Sequence, residues 1–392
     1  MSDLLVELLV RRPADLVDEP DRLPTLLELL DRPDRALPAI WVGGGNGKSS
    51  IITMLAALFA AVEITAGAAT TPHLQDVRER LRVAGEAIAT KTLRENLRYL
   101  EPFLREVDAR FRTPLSFDEV LHAMAATWFA DAPVGVALYE GDVDEGGRAD
   151  VAVQLGDQPT ATIRTGDGQT RIFGADFAVE DREIAVGGQL LTLRTPSQVV
   201  DEIYLPLHGT HQAANAAVAL ATFDAFLGFS GLLDARLIRQ AFASIRLPGR
   251  LEVVRRTDAA SVLLDGARNA AGAAALAEAL HSEFAVRHRI GVLGLENATA
   301  PGVVQALRDA LDHLVVVPAP TPSAASAHEV VAAAREAGLP VEMADTVPAA
   351  LEFASGVATT EDAVVVTGGL QTVGAARRAL GLAPADDLLD MQ

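Results

Sequence analysis

One short run constrains this chain more than any other: Ile40-Trp41-Val42-Gly43-Gly44-Gly45-Asn46-Gly47-Lys48-Ser49-Ser50. The apolar residues from Ala39 to Val42 read as a buried strand, and the apolar spacing from Ile51 to Val62 reads as a helix. Glycines between a strand and a helix let several backbone N–H groups converge on one anion. The helix N-terminus adds the positive end of its dipole. Lys48 is placed to reach the outer phosphates of a nucleotide, and a hydroxyl from Ser49 or Ser50 to ligate Mg²⁺. Val42 stands where the full G-x-x-x-x-G-K-[ST] pattern has its first glycine, but the shorter G-x-x-G-K-S fits from Gly44 to Ser49. Of 33 basic residues only two are lysines, Lys48 and Lys91. A lysine kept in the loop of an arginine-rich chain points to a need for a compact ammonium on a flexible stem. The plainer reading is a glycine-rich turn without a ligand.

The remaining bulk properties set limits. At 392 residues the expectation is two domains, 1–245 and 246–392. Aromatics are only 5% of the chain, so its core is aliphatic. A formal net charge of −20 argues against a general nucleic-acid or anionic-membrane surface, though not against a local phosphate site. With no cysteine there is neither disulfide nor thiolate chemistry. The N-terminus carries acids and lacks the basic start and apolar stretch of a signal peptide. No apolar run approaches membrane-spanning length. A cytoplasmic location is the expectation by elimination. The sequence is silent on oligomeric state.

Residues 21–36 show helical spacing with Pro33 as a stop. Ile64–Ala69 reads as a second strand, followed by a turn with two hydroxyls, Thr70 and Thr71. Val77, Leu81 and Val83 interleave with Arg78, Arg80 and Arg82, which predicts an extended segment with a basic face or a solvated edge. A helix fits Thr92–Phe111. Ser116 and Glu119 form a capping box for another over Phe117–Phe129. Val134–Leu138 reads as a strand with Glu140 just past its end, where ligands sit in open α/β sheets. The acidic residues that follow, GDVDEGGRAD, read equally as a solvated loop or a metal site. Residues 151–204 read as hairpins, for example around Thr160–Arg164 and Leu190–Leu193. His208 and His211 invite a zinc reading, but no further ligands stand at metal spacing. An alanine-rich helix spans Ala213–Phe226. Strand–helix alternation then runs from Ser261–Leu264 to Leu370–Leu380, a small doubly wound sheet.

Several stretches, taken in order, resemble the folylpolyglutamate synthase/dihydrofolate synthase family of the Mur ligase superfamily. They are Val42 to Ser50, Thr70 to Leu74, Arg78 to Leu81, Leu115 to Met124, Leu138 to Gly141, Leu205 to Asn215, Pro248 to Glu252, Asp265 to Gly272 and Val366 to Leu370. The resemblance implies an α/β fold. Its N-terminal domain would be P-loop and Mur-ligase-like, with a mostly parallel sheet and a hairpin region, and its C-terminal domain smaller and doubly wound. It also implies an ATP- and Mg²⁺-dependent ligase joining a small-molecule carboxylate to an amine, possibly glutamate, through an acyl phosphate. Folate need not be the substrate. By the same resemblance Gly44, Gly45, Asn46, Gly47, Lys48, Ser49 and Ser50 would cradle phosphates. Asn215, Arg250 and Asp265 would line the nucleotide, and Ser49 or Ser50, Thr71 and Glu140 would hold the metal. Lys48, Glu140 and Arg268 are the expected catalytic residues, Arg268 standing where the family has the histidine of D-G-A-H.

The departures point elsewhere. The family's segment between Asp150 and the hairpins near Thr160, with its metal-binding histidine and carbamylated lysine, is missing. The D-K-D turn is Glu296-Asn297-Ala298, P-R-A-L is Pro322-Ser323-Ala324-Ala325, and S-L-Y is Gly369-Leu370-Gln371. A second reading is therefore a nucleotide-binding relative without catalysis that serves as a regulatory or partner subunit. A plain P-loop kinase would leave the match in the second half unexplained.

Overall fold

The computed structural model describes residues 7–11, 19–142, 149–156, 160–228, 233–296, 300–321 and 324–382. Its centre is β1 (Ala39–Gly44), a strand buried on both faces. Side chains alternate along a strand. Ile40 and Val42 therefore face one apolar cluster, with the helix Lys48–Ala61 and the helix Thr210–Phe226. Ala39 and Trp41 face a second cluster, with the helices Thr90–Arg110 and Phe117–Asp131. A near-continuous apolar run is what a strand covered by helices on both sides requires.

The first sheet has eight strands. They are β1, β2 (Ala66–Ala69), β3 (Leu81–Val83), β4 (Glu86–Ala87), β5 (Val136–Glu140), β6 (Val151–Leu155), β7 (Ala161–Thr165) and β8 (Thr170–Ile172). Their spatial order is β4-β3-β2-β5-β1-β6-β7-β8. β1 runs parallel to both β5 and β6, in register Val42 with Glu140 and Gly44 with Leu155. The hairpin region thus divides. Its first strands extend this sheet, while β9 (Ala178–Ala185), β10 (Gly188–Arg194) and β11 (Val199–Leu205) form a separate antiparallel sheet. Ten residues join β5 to β6. Parallel crossovers ordinarily take a dozen or more, usually with a helix.

Beyond residue 250 a six-stranded sheet follows, of β12 (Glu252–Val254), β13 (Ser261–Leu264), β14 (Arg289–Leu293), β15 (His313–Val316), β16 (Val341–Met343) and β17 (Ala363–Thr367). Its order is β12-β13-β17-β14-β15-β16. Leu263, Val365, Leu293 and Val316 pack on one face, and Val262, Val364, Val292 and Val315 on the other. This is the doubly wound unit that the sequence alternation predicts. No described helix is long and apolar enough to cross a membrane.

The basic face expected over residues 77–83 does not form. Asp76 and Glu79 make a capping box that turns Val77–Arg80 into a 3-10 helix before β3 begins. The guanidiniums are used internally. Arg78 pairs with Asp76 at 2.7 Å, Arg80 with Asp118 at 2.8 Å, and Arg82 donates to the carbonyls of Glu79 and Gly85. The helix expected before Pro33 runs Arg22–Leu29 and stops just short of it, where Asp31 and Arg32 adopt left-handed backbone. The capping box at Ser116 and Glu119 is present.

Candidate functional site

The loop after β1 takes its shape from two glycines. Gly44 (φ +85°) and Gly47 (φ +107°) lie in the region that side chains disfavour. A Cβ on Gly44 would sit 2.0 Å from the Leu155 carbonyl of β6. The loop is tied at its start: Gly45 N–H donates to Leu155 O at 3.0 Å, and Gly44 N–H to Asp142 Oδ1 at 3.2 Å. Asp142 belongs to the acidic stretch after Glu140, of which residues 143–148 lie outside the described residues. The first helical bond runs from Ile51 N–H to Gly47 O. The amides of Lys48, Ser49 and Ser50 therefore have no acceptor within the helix, as at any helix start. Lys48 Nζ folds back over the loop and donates to the carbonyls of Gly44 and Gly45, each at 3.0 Å.

Glu140 ends β5 beside this loop. Its Oε2 accepts from Ser49 Oγ at 2.7 Å and from the Thr71 amide at 3.1 Å. Burial pushes the Glu140 carboxyl above its usual range, against the hydrogen bonds from Ser49 and Thr71 and the charges of Lys48 and Arg250. The two candidate hydroxyls separate cleanly. Ser49 lies on Glu140, whereas buried Ser50 faces Gln212 Nε2 at 3.4 Å. The Thr71 hydroxyl accepts from Arg80 at 3.2 Å, so a guanidinium already occupies that oxygen. Positive charge there disfavours a metal on the same atom.

Arg250 and Asp265 come to the cleft from the second sheet. Asp265 Oδ2 accepts from Leu251 N–H and Oδ1 from Ala267 N–H, both at 2.9 Å. Its carboxylate is therefore turned to the backbone as a brace. Leu251, held by that brace, has φ +47°, a strained value for a residue with a side chain. The adjacent Arg250 guanidinium is deeply desolvated, which lowers its pKa against the opposing charges of Asp265 and Glu140. Asn46 and Asn269 join the two halves reciprocally: Asn46 Nδ2 to Asn269 Oδ1 at 3.1 Å and Asn269 Nδ2 to Asn46 Oδ1 at 3.2 Å. Asn269 Oδ1 also caps the helix Ala270–Glu283 through Gly272 N–H.

These groups surround one cavity of about 280 Å³ between the sheets. Gly45, Asn46, Gly47, Lys48, Ser49, Ser50, Thr71, Glu140, Asn215, Arg250, Asp265 and Arg268 all line it. So, among the residues expected at the site, only Gly44 lies behind its wall. The cavity also includes His211, Gln212, Asn269 and Gln371, which sequence reasoning left out of the site. Gln212 was legible, since it stands one helical turn before Asn215, whose Nδ2 donates to Gln212 Oε1 at 3.2 Å. Asn269 could have been found as an N-cap. Nothing local marked Gln371.

A hard cation fits the donors. Mg²⁺ takes one or two protein oxygens together with substrate phosphate, and Ser49 and Glu140 offer a hydroxyl and a carboxylate beside the loop. Among the described residues no group of three or more His, Asp or Glu could hold a metal. His208 Nδ1 lies 2.9 Å from Glu283 Oε2, and the His211 Nδ1 is buried without a partner, so the zinc reading has no ligand set.

Comparison with known proteins gives the same picture. Residues 249–370 match the glutamate ligase domain of Mur ligases. The chain is 34% identical to the dihydrofolate synthase/folylpolyglutamate synthase of Mycobacterium tuberculosis, over 93% of this chain and 90% of that protein. A probable bifunctional folylpolyglutamate synthase/dihydropteroate synthase of Halobacterium salinarum is 29% identical, with 86% of this chain matching 46% of that longer protein. Crystal structures of the M. tuberculosis folylpolyglutamate synthase complexed with ADP and AMPPCP superpose with a TM-score of 0.88 at 32% identity, covering 97% of this chain and 98% of the other. The folylpolyglutamate synthase of Thermotoga maritima, at 22% identity and a TM-score of 0.78, shares the fold. This chain belongs to the folylpolyglutamate synthase/dihydrofolate synthase family of Mur ligases.

Proposed function

We propose that the protein is an ATP-dependent carboxylate–amine ligase that works through an acyl phosphate. The observation that carries this is the meeting of Lys48, Ser49 and Glu140 from the first sheet with Arg250 and Arg268 from the second around one cavity. The chain is read as two domains, 1–245 carrying the nucleotide loop and 246–392 closing over it. Solved relatives with ADP and AMPPCP bound support nucleotide use.

The free amides of Lys48, Ser49 and Ser50 face the phosphates, and Gly45, Asn46 and Gly47 form the cradle. Lys48 exchanges its two carbonyl acceptors for phosphate oxygens. Ser49 and Glu140 hold Mg²⁺, with Ser50 and Thr71 beside them, Thr71 fixing Glu140 through its amide. The bound metal supplies neutralisation of phosphate charge. Arg250 adds a second positive charge, and the Asp265 brace orients it. Asn215 lines the nucleotide. Phosphoryl transfer asks mainly for this positioning and charge stabilisation. The terminal carboxylate of the first substrate attacks the γ-phosphorus and ADP leaves. The amine then attacks the acyl carbon and phosphate leaves. Substrates of folate type are favoured by the family, with glutamate as the amine, although nothing in the cavity demands a pterin.

The test is ADP release against pairs of carboxylates and amines, beginning with pteroate and glutamate. ADP formed only when both partners are present supports the ligase. ATP binding without turnover for every pair supports the second reading, a non-catalytic nucleotide-binding subunit. That reading has one observation in its favour. Lys91 cannot replace the family's lysine, because its side chain is 85% exposed at the start of the helix Thr90–Arg110.

A further inference from the structure

A single carboxylate ties the helix Ala270–Glu283 to the three-stranded sheet. Glu283 is the last residue of that helix, and its side chain is fully buried. Three groups reach it from the other half of the chain: Arg182 of β9, the Gly209 amide and His208. Arg182 pairs with Oε1, and the Gly209 amide donates to the same oxygen at 2.9 Å. His208 Nδ1 lies 2.9 Å from Oε2, with its ring against Phe284. Gln189 of β10, also buried, completes the joint. It accepts from Arg182 and donates to the carbonyls of Leu207 and Gly209 at 3.0 and 3.2 Å. The turn held in this way is tight: Gly209 has φ +92°, and a Cβ there would stand 2.4 Å from the His211 ring.

Two helices that line the cavity meet at this joint. The helix Thr210–Phe226 starts from the held turn and brings Gln212 and Asn215 to the wall, and Gln212 reaches on to Ser50 of the nucleotide loop at 3.4 Å. The helix Ala270–Glu283 supplies Ala271 and Gly272 to the lining from its opposite end. At 1.5 Å per residue, Ala271 lies about 18 Å along the axis from Glu283. A tilt of about 5° at Glu283 would therefore carry Ala271 roughly 1.5 Å, and displacements of about 1 Å suffice to impair a positioned site. Parting a buried charge from its partners leaves it uncompensated. The joint thus yields less readily than the exposed amide pair of Asn46 and Asn269 at the other end of the same helix. Glu283 itself is not part of the cavity lining. We propose that Glu283 is a positioning residue for the nucleotide site: it clamps the start of one lining helix to the end of the other, and so fixes the spacing of Gln212 and Asn215 from Ala271 and Gly272. The assignment rests on the nucleotide reading of the cavity and adds to it a residue that touches no ligand.

The test uses the full chain. Glu283→Gln keeps an acceptor for the Gly209 amide and removes the charge, and Arg182→Gln weakens the same joint from its other side. ADP affinity is read by titration calorimetry, with urea unfolding to show that each variant is folded. Each single variant is expected to bind ADP about 3–30-fold more weakly. The double variant should be no weaker than the weaker single, since both act through one contact. The chain has no cysteine, so spin labels on an Arg98→Cys, Glu336→Cys background report the spacing of the two halves without a competing thiol. Both positions are exposed, on the helices Thr90–Arg110 and Ala327–Glu336. The distance distribution should be narrow with Glu283 present and broader in Glu283→Gln. A lowered urea midpoint with unchanged ADP affinity and an unchanged distribution makes Glu283 a stability residue only and overturns the proposal. So do losses that multiply in the double variant. Should Glu283→Gln fail to fold, Arg182→Gln carries the same expectation, and unchanged ADP affinity there is equally fatal. A wild type that binds no ADP would instead sink the nucleotide reading itself.

Discussion

The nucleotide-loop end of the first sheet and the strand ends of the second face one cavity, but they are finished to different degrees. On the first sheet the polar groups already hold one another. Lys48 sits on two carbonyls, Ser49 on Glu140, and Glu140 on the Thr71 amide. On the second sheet Glu296 and Gln371 each keep a buried oxygen without a partner. A site whose groups are mutually satisfied is preorganised, and a ligand exchanges one set of bonds for another. The difference teaches that the loop end is satisfied within the protein, while the far end keeps buried acceptors without a donor.

The largest expected effect breaks the first half of this comparison. Lys48→Ala removes the ammonium at the loop, and charge-assisted bonds are worth about 1.5–3 kcal/mol each. Nucleotide affinity measured by titration calorimetry should fall at least ~100-fold. Unchanged affinity would remove the loop from the site. Asp265→Ala comes next, and it acts on stability. It leaves the buried amides of Leu251 and Ala267 without acceptors, so unfolding in urea should show a loss of about 2–4 kcal/mol. A near-neutral result would mean that the brace does not hold Leu251 in its strained conformation. Glu140→Gln sharpens the comparison on the metal side. Apparent Mg²⁺ affinity should weaken by roughly 10–100-fold while metal-free nucleotide binding persists. An unaltered metal response would take Glu140 out of the ligand set.

Much of the first half was legible because local chemistry dictates it. The loop glycines and the box of Ser116 and Glu119 each name a backbone shape directly, and one of only two lysines in an arginine-rich chain marks the loop as a charged site. The second half was legible as a fold through strand–helix alternation, but its residues Arg250, Asp265 and Arg268 were named only through the resemblance, and Glu296 and Gln371 were not named as site residues at all. Glu296, Gln371 and Arg268 are far apart in sequence and meet only because β13, β17 and β14 are neighbours. The choice between Ser49 and Ser50 needed the helix phase, since adjacent helical residues point about 100° apart. The arginines of residues 78–82 misled for the opposite reason. Their spacing resembled a strand, while Asp76, Glu79 and Asp118 supplied acceptors that fold them inward. Which sheet would take the hairpin strands was undetermined, because alternation shows a strand's faces and not its neighbours.

The smallest expected effect concerns what lies beneath the loop. In a chain poor in aromatics, His122 packs against both Trp41 of β1 and Tyr139 of β5, ring centroids 5.2 and 4.9 Å away, and those two rings also stack on each other. Burial lowers its pKa to about 4. The unfolded chain binds a proton here near pH 6.5, whereas the folded chain does so only near pH 4. Stability from this residue is therefore full above pH 6.5, declines as pH falls towards 4, and declines no further below that. At pH 5.5 the loss is on the order of 1 kcal/mol. His122→Phe keeps an apolar ring in the stack and removes the titration. The urea stabilities of the two proteins, compared between pH 7.5 and 5.5, should diverge by that amount, with the wild type the more acid-sensitive. Parallel curves would show that the ring is protonated in the native state, and that the layer under the nucleotide loop is wetter than its packing implies.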